Sequence, residues 1–353
     1  MRSQDSVERS TRRGLLQTTA VGLTGALGAG LFGSRAARGS ESTDTSASTS
    51  IRDSITITES GTYVLETDLE RDVTEKPAQS GPVPFIEIGD GIDGEVVIDG
   101  RGHMIAGQGS GTGILALETS GGEVTVRDLT VCNFQQGTYL ELAGSLTLDG
   151  VTITNCERAI SHRDSSRLVG DALTITKNET GIDSTNSTVT LSDSTITDNT
   201  GIGLSVTRPE ISNTTVLRNG TGIAVHSGDG SITDCDIRYN DRNGIETTDS
   251  SVTVTDSHIS ENGRHGIHMR SSTDWKIHRN TINRNGDYGV YIEGSNGALV
   301  IDNTIEGNET GPVFISDDSG GNIVVLVRTS GERPIDRGDG DNNGDDAGNN
   351  ERD

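Results

Sequence analysis

Aliphatic residues return at a fixed interval through more than half of this chain, and the residues around them alternate in polarity. The first column is Val131, Ile153, Ile175, Ile196, Val216, Ile237, Ile259, Ile282 and Ile305. Leu129, Val151 and Leu173 stand two residues earlier. A second column runs Ile223, Ile245, Ile267, Val290, with Val225, Thr247, Met269 and Ile292 two residues on. Segments such as Ser231-Ile232-Thr233-Asp234-Cys235-Asp236-Ile237 alternate with the period of a strand. Beyond the N-terminus no stretch of ten or more residues carries a helical apolar stripe. A repeat of roughly twenty-two residues gives room for three short strands and three bends. The pattern predicts an all-β, single-stranded right-handed parallel β-helix of about nine to eleven coils, in which stacking buries a continuous core.

Polar positions repeat with the same interval. Three residues after the first column stand Phe134 and Cys156, then Asn178, Asn199, Asn219, Asn240, Asn262, Asn285 and Asn308. Stacked amides at a bend can hydrogen-bond from coil to coil. Glycine follows shortly, as in Gly181-Ile182, Gly203-Leu204, Gly222-Ile223, Gly244-Ile245, Gly266-Ile267 and Gly289-Val290. It is expected to supply a positive φ at the turn. One residue before each aliphatic lies an outward column: Thr130, Thr152, Thr174, Thr195, Thr215, Asp236, His258, Thr281, Thr304.

The early segments Tyr63-Val64-Leu65, Asp68-Leu69, Ile86-Glu87-Ile88 and Val97-Ile98-Asp99-Gly100-Arg101-Gly102-His103-Met104-Ile105 precede these coils. Over about residues 55–328 the chain resembles the secreted right-handed β-helix repeat proteins of archaea, in the pectin-lyase-like superfamily and its NosD-like group. The resemblance implies the fold, with residues 55–100 as irregular first coils and cap. Activity is left open, because that superfamily holds lyases, hydrolases, epimerases and inactive scaffolds. An enzyme of this kind would be a polysaccharide lyase or glycoside hydrolase, but the known motifs are not found. Asp317-Asp318 and Arg264-His265-Gly266 match the polygalacturonase-like pattern only in part, and Arg333-Pro334-Ile335-Asp336-Arg337 has the wrong spacing for a pectate lyase. The Asp-Pro-His-Asp motif of alginate epimerases is absent.

Charge and the chain ends add a setting. The formal net charge is -25, and lysine occurs only at Lys76, Lys177 and Lys276. So acidic and lysine-poor a surface suits high salt, where self-repulsion is screened, and disfavours nucleic acid and anionic membranes. Residues 1–38 read as a twin-arginine signal peptide, with Arg12-Arg13, a Gly/Ala-rich apolar run and small residues before a cleavage point. No cysteine lies there to carry a lipid. Residues 39–52 read as a Ser/Thr-rich linker, 53–330 as the β-helix with its cap, and 331–353 as a disordered acidic tail with no apolar span. Asp339, Asp341, Asn343 and Gly344 match half of a calcium loop, but Asn350 stands where it needs Glu, so calcium lacks support and no cofactor is evident. Cys132, Cys156 and Cys235 are an odd set; Cys156 and Cys235 lie about four coils, or ~19 Å, apart, so all three are read as unpaired.

Candidate chemistry concentrates in the later coils. Aligning the Gly-Ile pairs stacks Glu246, His268 and Tyr291 in one outward column and His226, Thr248, Arg270 and Glu293 in the next. Asp236 and His258 replace threonine in the other outward column at the same height. Neighbouring coils lie about 4.8 Å apart, so these groups can touch. They suit an acidic sugar: Arg270 for its carboxylate, Tyr291 for ring stacking, Glu246 and His268 for hydroxyls or proton transfer. His258, His265, His268 and His278 are close in sequence but do not share a face, so no metal is assigned. The combined reading is an exported halophilic protein that binds, and in the enzyme case processes, extracellular polysaccharide. A non-catalytic cell-surface scaffold or adhesion module is the alternative. The expected partners are a glycan and the twin-arginine export machinery.

Overall fold

The computed structural model describes residues 48–71, 84–92, 94–117, 122–141, 144–165, 167–326 and 335–337. The signal motif Arg12 and Arg13, most of the linker and the half calcium loop lie outside the described residues. Every element among the described residues is a strand and every pairing is parallel, giving a solenoid of about ten turns. No helix of the described residues is long and apolar enough to cross a membrane.

The coils lay strand on strand in three strips, and in a few later coils one strand runs through two of them, as Thr221–Thr233 does. The coil that starts at Arg158 shows the unit: Arg158–Arg163 in the first strip, Arg167–Asp171 in the second, Thr174–Thr176 in the third. The next coil repeats it with Thr180–Thr185, Thr188–Ser192 and Thr195–Thr197, paired residue on residue. Two boundaries differ from the sequence reading. Thr49–Ile51 already pairs with Gly61–Leu65 inside the segment read as linker, and Ile51 is buried. At the other end Asp336–Arg337, in the segment read as tail, pairs with Phe314 and Ile315. In each case a few residues find an open strand edge, and pairing satisfies backbone groups that composition cannot reveal.

The aliphatic columns point inward as expected. Val131, Ile153, Ile175, Ile196, Val216, Ile237, Ile259, Ile282 and Ile305 are all buried, as are Ile223, Ile245, Ile267 and Val290. The asparagine ladder forms too. Asn240 Oδ1 accepts from both the backbone N (2.9 Å) and Nδ2 (3.1 Å) of Asn219, and its own Nδ2 donates to Asn262 Oδ1 at 2.9 Å. The ladder starts under Cys156, whose N donates to Asn178 Oδ1 at 2.9 Å.

The glycines after the ladder work differently from the sequence expectation. Positive φ belongs to the residue just before each asparagine: Lys177, Asp198, Arg218, Tyr239, Glu261 and Arg284, at 50–59°. The glycines instead permit close approach of the next coil. A Cβ on Gly222 would lie 2.4 Å from Gly244 O, and one on Gly181 would lie 2.3 Å from Gly203 O. The other two corners follow the same rule of one left-handed residue followed by one inward residue. Beyond Leu173 that inward position turns polar: Ser194, Thr214, Cys235, Ser257, Asn280 and Asn303. Asn280 and Asn303 make a second short ladder, with Asn280 N and Nδ2 at 2.9 and 3.0 Å from Asn303 Oδ1. A third corner stacks serines, with Ser250 N on Ser272 Oγ and Ser272 N on Ser295 Oγ.

All three cysteines are free and buried. Burial pushes the thiols of Cys156 and Cys235 up to about 11, so neither is a ready nucleophile. The same ladder geometry bears on glycosylation. Asn178, Asn219 and Asn308 satisfy Asn-x-Thr within the ladder, the first two buried and Asn308 half-buried at its end, whereas Asn186 and Asn213 satisfy it at exposed corners. Any N-linked sugar is therefore expected on Asn186 or Asn213. Peptide mapping that located glycans on Asn178 or Asn219 would contradict the inward ladder.

Candidate functional site

The first strip carries the candidate cluster on its outer surface. Register pairs Glu246 with His268 and His268 with Tyr291, and Thr248 with Arg270 and Arg270 with Glu293, as the sequence alignment of coils predicts. The first column continues to Phe314 on the next coil. Asp236 and His258 pair with each other on the third strip, so they do not join this cluster. Asp236 Oδ2 accepts from Arg238 Nη2 at 2.5 Å, and His258 Nδ1 stays 3.6 Å from Asp236 Oδ1.

Side-chain packing changes several of the expected roles. His268 is only 4% exposed, so it is not the open surface residue that an outward position suggests. Tyr291 meets it edge-on with ring centroids 5.1 Å apart, and His265 lies 5.2 Å away. Tyr291 itself is sandwiched. His265 stacks on one side at 4.5 Å and 23°, and Phe314 on the other at 4.6 Å and 11°. Rings one coil apart stack because strand spacing is close to aromatic stacking distance. The faces of Tyr291 are therefore occupied, and a sugar cannot stack on them. Arg270 is likewise engaged, with Nε 3.2 Å from Glu293 Oε2.

Electrostatics follow from this packing. His268 Nε2 lies 3.1 Å from the same Glu293 oxygen, and because a carboxylate only accepts, Nε2 carries the proton. Its Nδ1 is buried with no protein partner. Burial pushes the His268 imidazole below its usual value despite the Glu293 bond. Burial alone would raise the carboxyl of Glu293, but bonds from His268 and Arg270 outweigh it and hold it low. His265 is pushed down to about 4, chiefly by burial. Its Nδ1 accepts from Tyr288 N at 3.3 Å, and its Nε2 sits 3.9 Å from Asp287. Both imidazoles are thus neutral near pH 7. Glu246 accepts from Asn243 Nδ2 at 3.2 Å.

The structure adds His265, Tyr288, Phe314, Arg264 and Asp287 to the residues found from sequence. His265 and Tyr288 stand immediately before Gly266 and Gly289, so extending the alignment by one residue finds them. Phe314 was hidden because Pro312 stands where the repeat has glycine. Among the described residues no group of three or more His, Cys, Asp or Glu is arranged to hold a metal ion. The face can donate and accept hydrogen bonds through Arg270, Glu246, Glu293 and the Tyr291 hydroxyl, beside half-buried ring edges.

A sequence family described as right handed beta helix region matches residues 112–251 and again 184–327. No protein of curated function matches. Among solved structures, a mutant of the periplasmic alginate epimerase AlgG is similar at a TM-score of 0.50 and 15% identity, over 72% of this chain and 77% of that one. The A-module of a mannuronan C-5 epimerase from Azotobacter vinelandii is similar at 0.49 and 15% identity, over 79% and 89%. The catalytic domain of an α-1,3-glucanase in complex with nigerose gives 0.26 and 12%, over 80% and 62%. At such identities the likeness is one of fold.

Proposed function

The chain belongs to the right-handed β-helix family, and on that premise we propose that it is an exported, halophilic protein that binds extracellular polysaccharide on the outer surface of its first strip. The observation that carries this reading is the gathering of His265, His268, Tyr288, Tyr291 and Phe314 with Glu246, Arg270 and Glu293 on one surface. The chain has only nine Phe and Tyr, four and five, so three of them on one outer patch is a concentration. Ring edges bordered by hydrogen-bonding charged groups are the chemistry of sugar recognition. The likeness to alginate epimerase supports a polysaccharide by analogy of fold alone. The chain lacks the Asp-Pro-His-Asp motif, so no epimerase step is assigned.

Arg270→Ala is expected to weaken polysaccharide binding by about tenfold or more while leaving thermal stability nearly unchanged, since Arg270 is exposed. Thr195→Ala, on the third strip, is the control. Equal binding by both variants and the wild type in a glycan array at molar salt would show the patch to be ordinary solvated surface. His268→Ala is not the clean test that its outward position suggested, because a buried side chain carries stability as well.

Export by the twin-arginine route rests on Arg12-Arg13 and the apolar run after them. Replacing both arginines with lysine is expected to trap the precursor in the cytoplasm; undiminished secretion would refute the route. Extracellular or cell-surface location in a saline medium rests on that segment and on the net charge of -25.

A non-catalytic scaffold or adhesion module is the second reading, and bend length favours it. Between Ser145 and Ile315 no connection between consecutive strands exceeds six residues, the longest being 239–244 and 261–266. No long loop there rises beside the first strip to wall a deep cleft, as a processing enzyme would need.

A further inference from the structure

We infer that the polysaccharide taken by the first-strip patch is uncharged. This rests on the reading of that patch as a glycan site. It departs from the acidic sugar that the residue types alone suggest.

The cations of the patch are already matched. Arg270 Nε lies 3.2 Å from Glu293, and Arg264 Nε lies 3.8 Å from Asp287. Glu246 adds a third carboxylate, which accepts from the neutral amide of Asn243. The flanking corner contributes Asp241 and Arg242, one of each sign. His265 and His268 are held neutral by burial and add no positive charge. Three fixed cations thus face four fixed anions, on a chain of net charge -25. A sugar carboxylate arriving here meets a surplus of negative charge. At the Nη groups of Arg270 it would lie against the Glu293 carboxylate, which Nε already holds at 3.2 Å, and like charges repel. A hydroxyl meets no such repulsion. It accepts from the guanidinium and donates to a carboxylate oxygen together, leaving the pair intact.

The test uses the full exported chain and three sets of probes. Soluble neutral glucans and mannans, alginate and polygalacturonate, and chitosan are titrated by calorimetry at two NaCl concentrations. The expected result is a neutral polymer binding at least about tenfold more tightly than either anionic one, with little change between the two salts. Glu293→Gln, which removes the carboxylate from Arg270, is expected to gain affinity for alginate or polygalacturonate. Tightest binding to an anionic polymer by the wild type overturns the inference while leaving the glycan site standing. Tightest binding to chitosan does the same. Binding to none of the probes overturns the glycan reading itself, and the inference with it.

Discussion

Asn240→Leu is expected to destabilise the stack by about 2–6 kcal/mol. The size follows from what is left behind. Asn240 Oδ1 accepts two donors of Asn219, the backbone N–H at 2.9 Å and the side-chain amide at 3.1 Å. Leucine fills the space but accepts nothing, so both donors are orphaned in a corner where Asn219 and Asn240 are each 1% exposed. Each orphaned buried donor costs about 1–3 kcal/mol. The Asn240 amide also serves Val216 O and Asn262 Oδ1. Thr195→Ala, on a half-exposed position, is expected to cost about 0.5 kcal/mol or less. Denaturant titration in molar salt reads both, and an unchanged midpoint for Asn240→Leu would sink the ladder account.

Stability is expected to fall as pH drops below neutral, with buried histidines as the cause. His162 is 0% exposed in the core column between Leu140 and Ser184. Its Nδ1 lies 3.4 Å from Ser184 Oγ, and its Nε2 is buried without a partner. Burial pushes its imidazole down to about 4 from 6.5. A folded value below the unfolded one means that the fold favours the neutral form. The penalty is absent above about pH 6.5, grows as pH falls, and levels off below about pH 4. A shift of roughly 2.5 units corresponds to about 3 kcal/mol. His265, also at about 4, acts in the same window. Asp256, held at about 2 chiefly by Arg279, acts in the same direction in a lower window; its contribution is lost as pH falls from about 3.8 to about 2. His162→Leu is expected to flatten the profile between pH 6.5 and 4. Identical pH profiles for variant and wild type would remove His162 as a cause.

Much of the fold was readable because it is one local pattern written repeatedly. The spacing of Ile153, Ile175 and Ile196 gives the coil length, and alternation beside them gives the strands. Register then follows without further information, since each coil stacks on the last at equivalent positions, as Thr152 on Thr174 and Thr174 on Thr195. The polar continuation of the inward column was not readable in the same way. Ser194, Thr214 and Ser257 look like exposed residues by type. They are buried because a corner leaves backbone N–H groups that hydroxyls or amides must meet, as Ser257 Oγ meets Cys235 N at 3.1 Å. The glycine role was misread for a related reason. Close approach of one coil's carbonyl to the next coil's glycine exists only in the stack.

The sequence by itself determined the parallel solenoid, its coil length, the inward aliphatic columns, the asparagine ladder, and the coincidence of Glu246, His268, Arg270, Tyr291 and Glu293 on one strip. Each depends on period, and period is a property of the chain. The tertiary structure alone decided that His268 and His265 are buried and that His265 and Phe314 cover the faces of Tyr291. It also decided that Arg270 is bound to Glu293, and that Asp236 and His258 stand apart on another strip. These are contacts between side chains some twenty residues apart in sequence, and whether such neighbours cover, pair or leave one another open is set by rotamers and packing across coils.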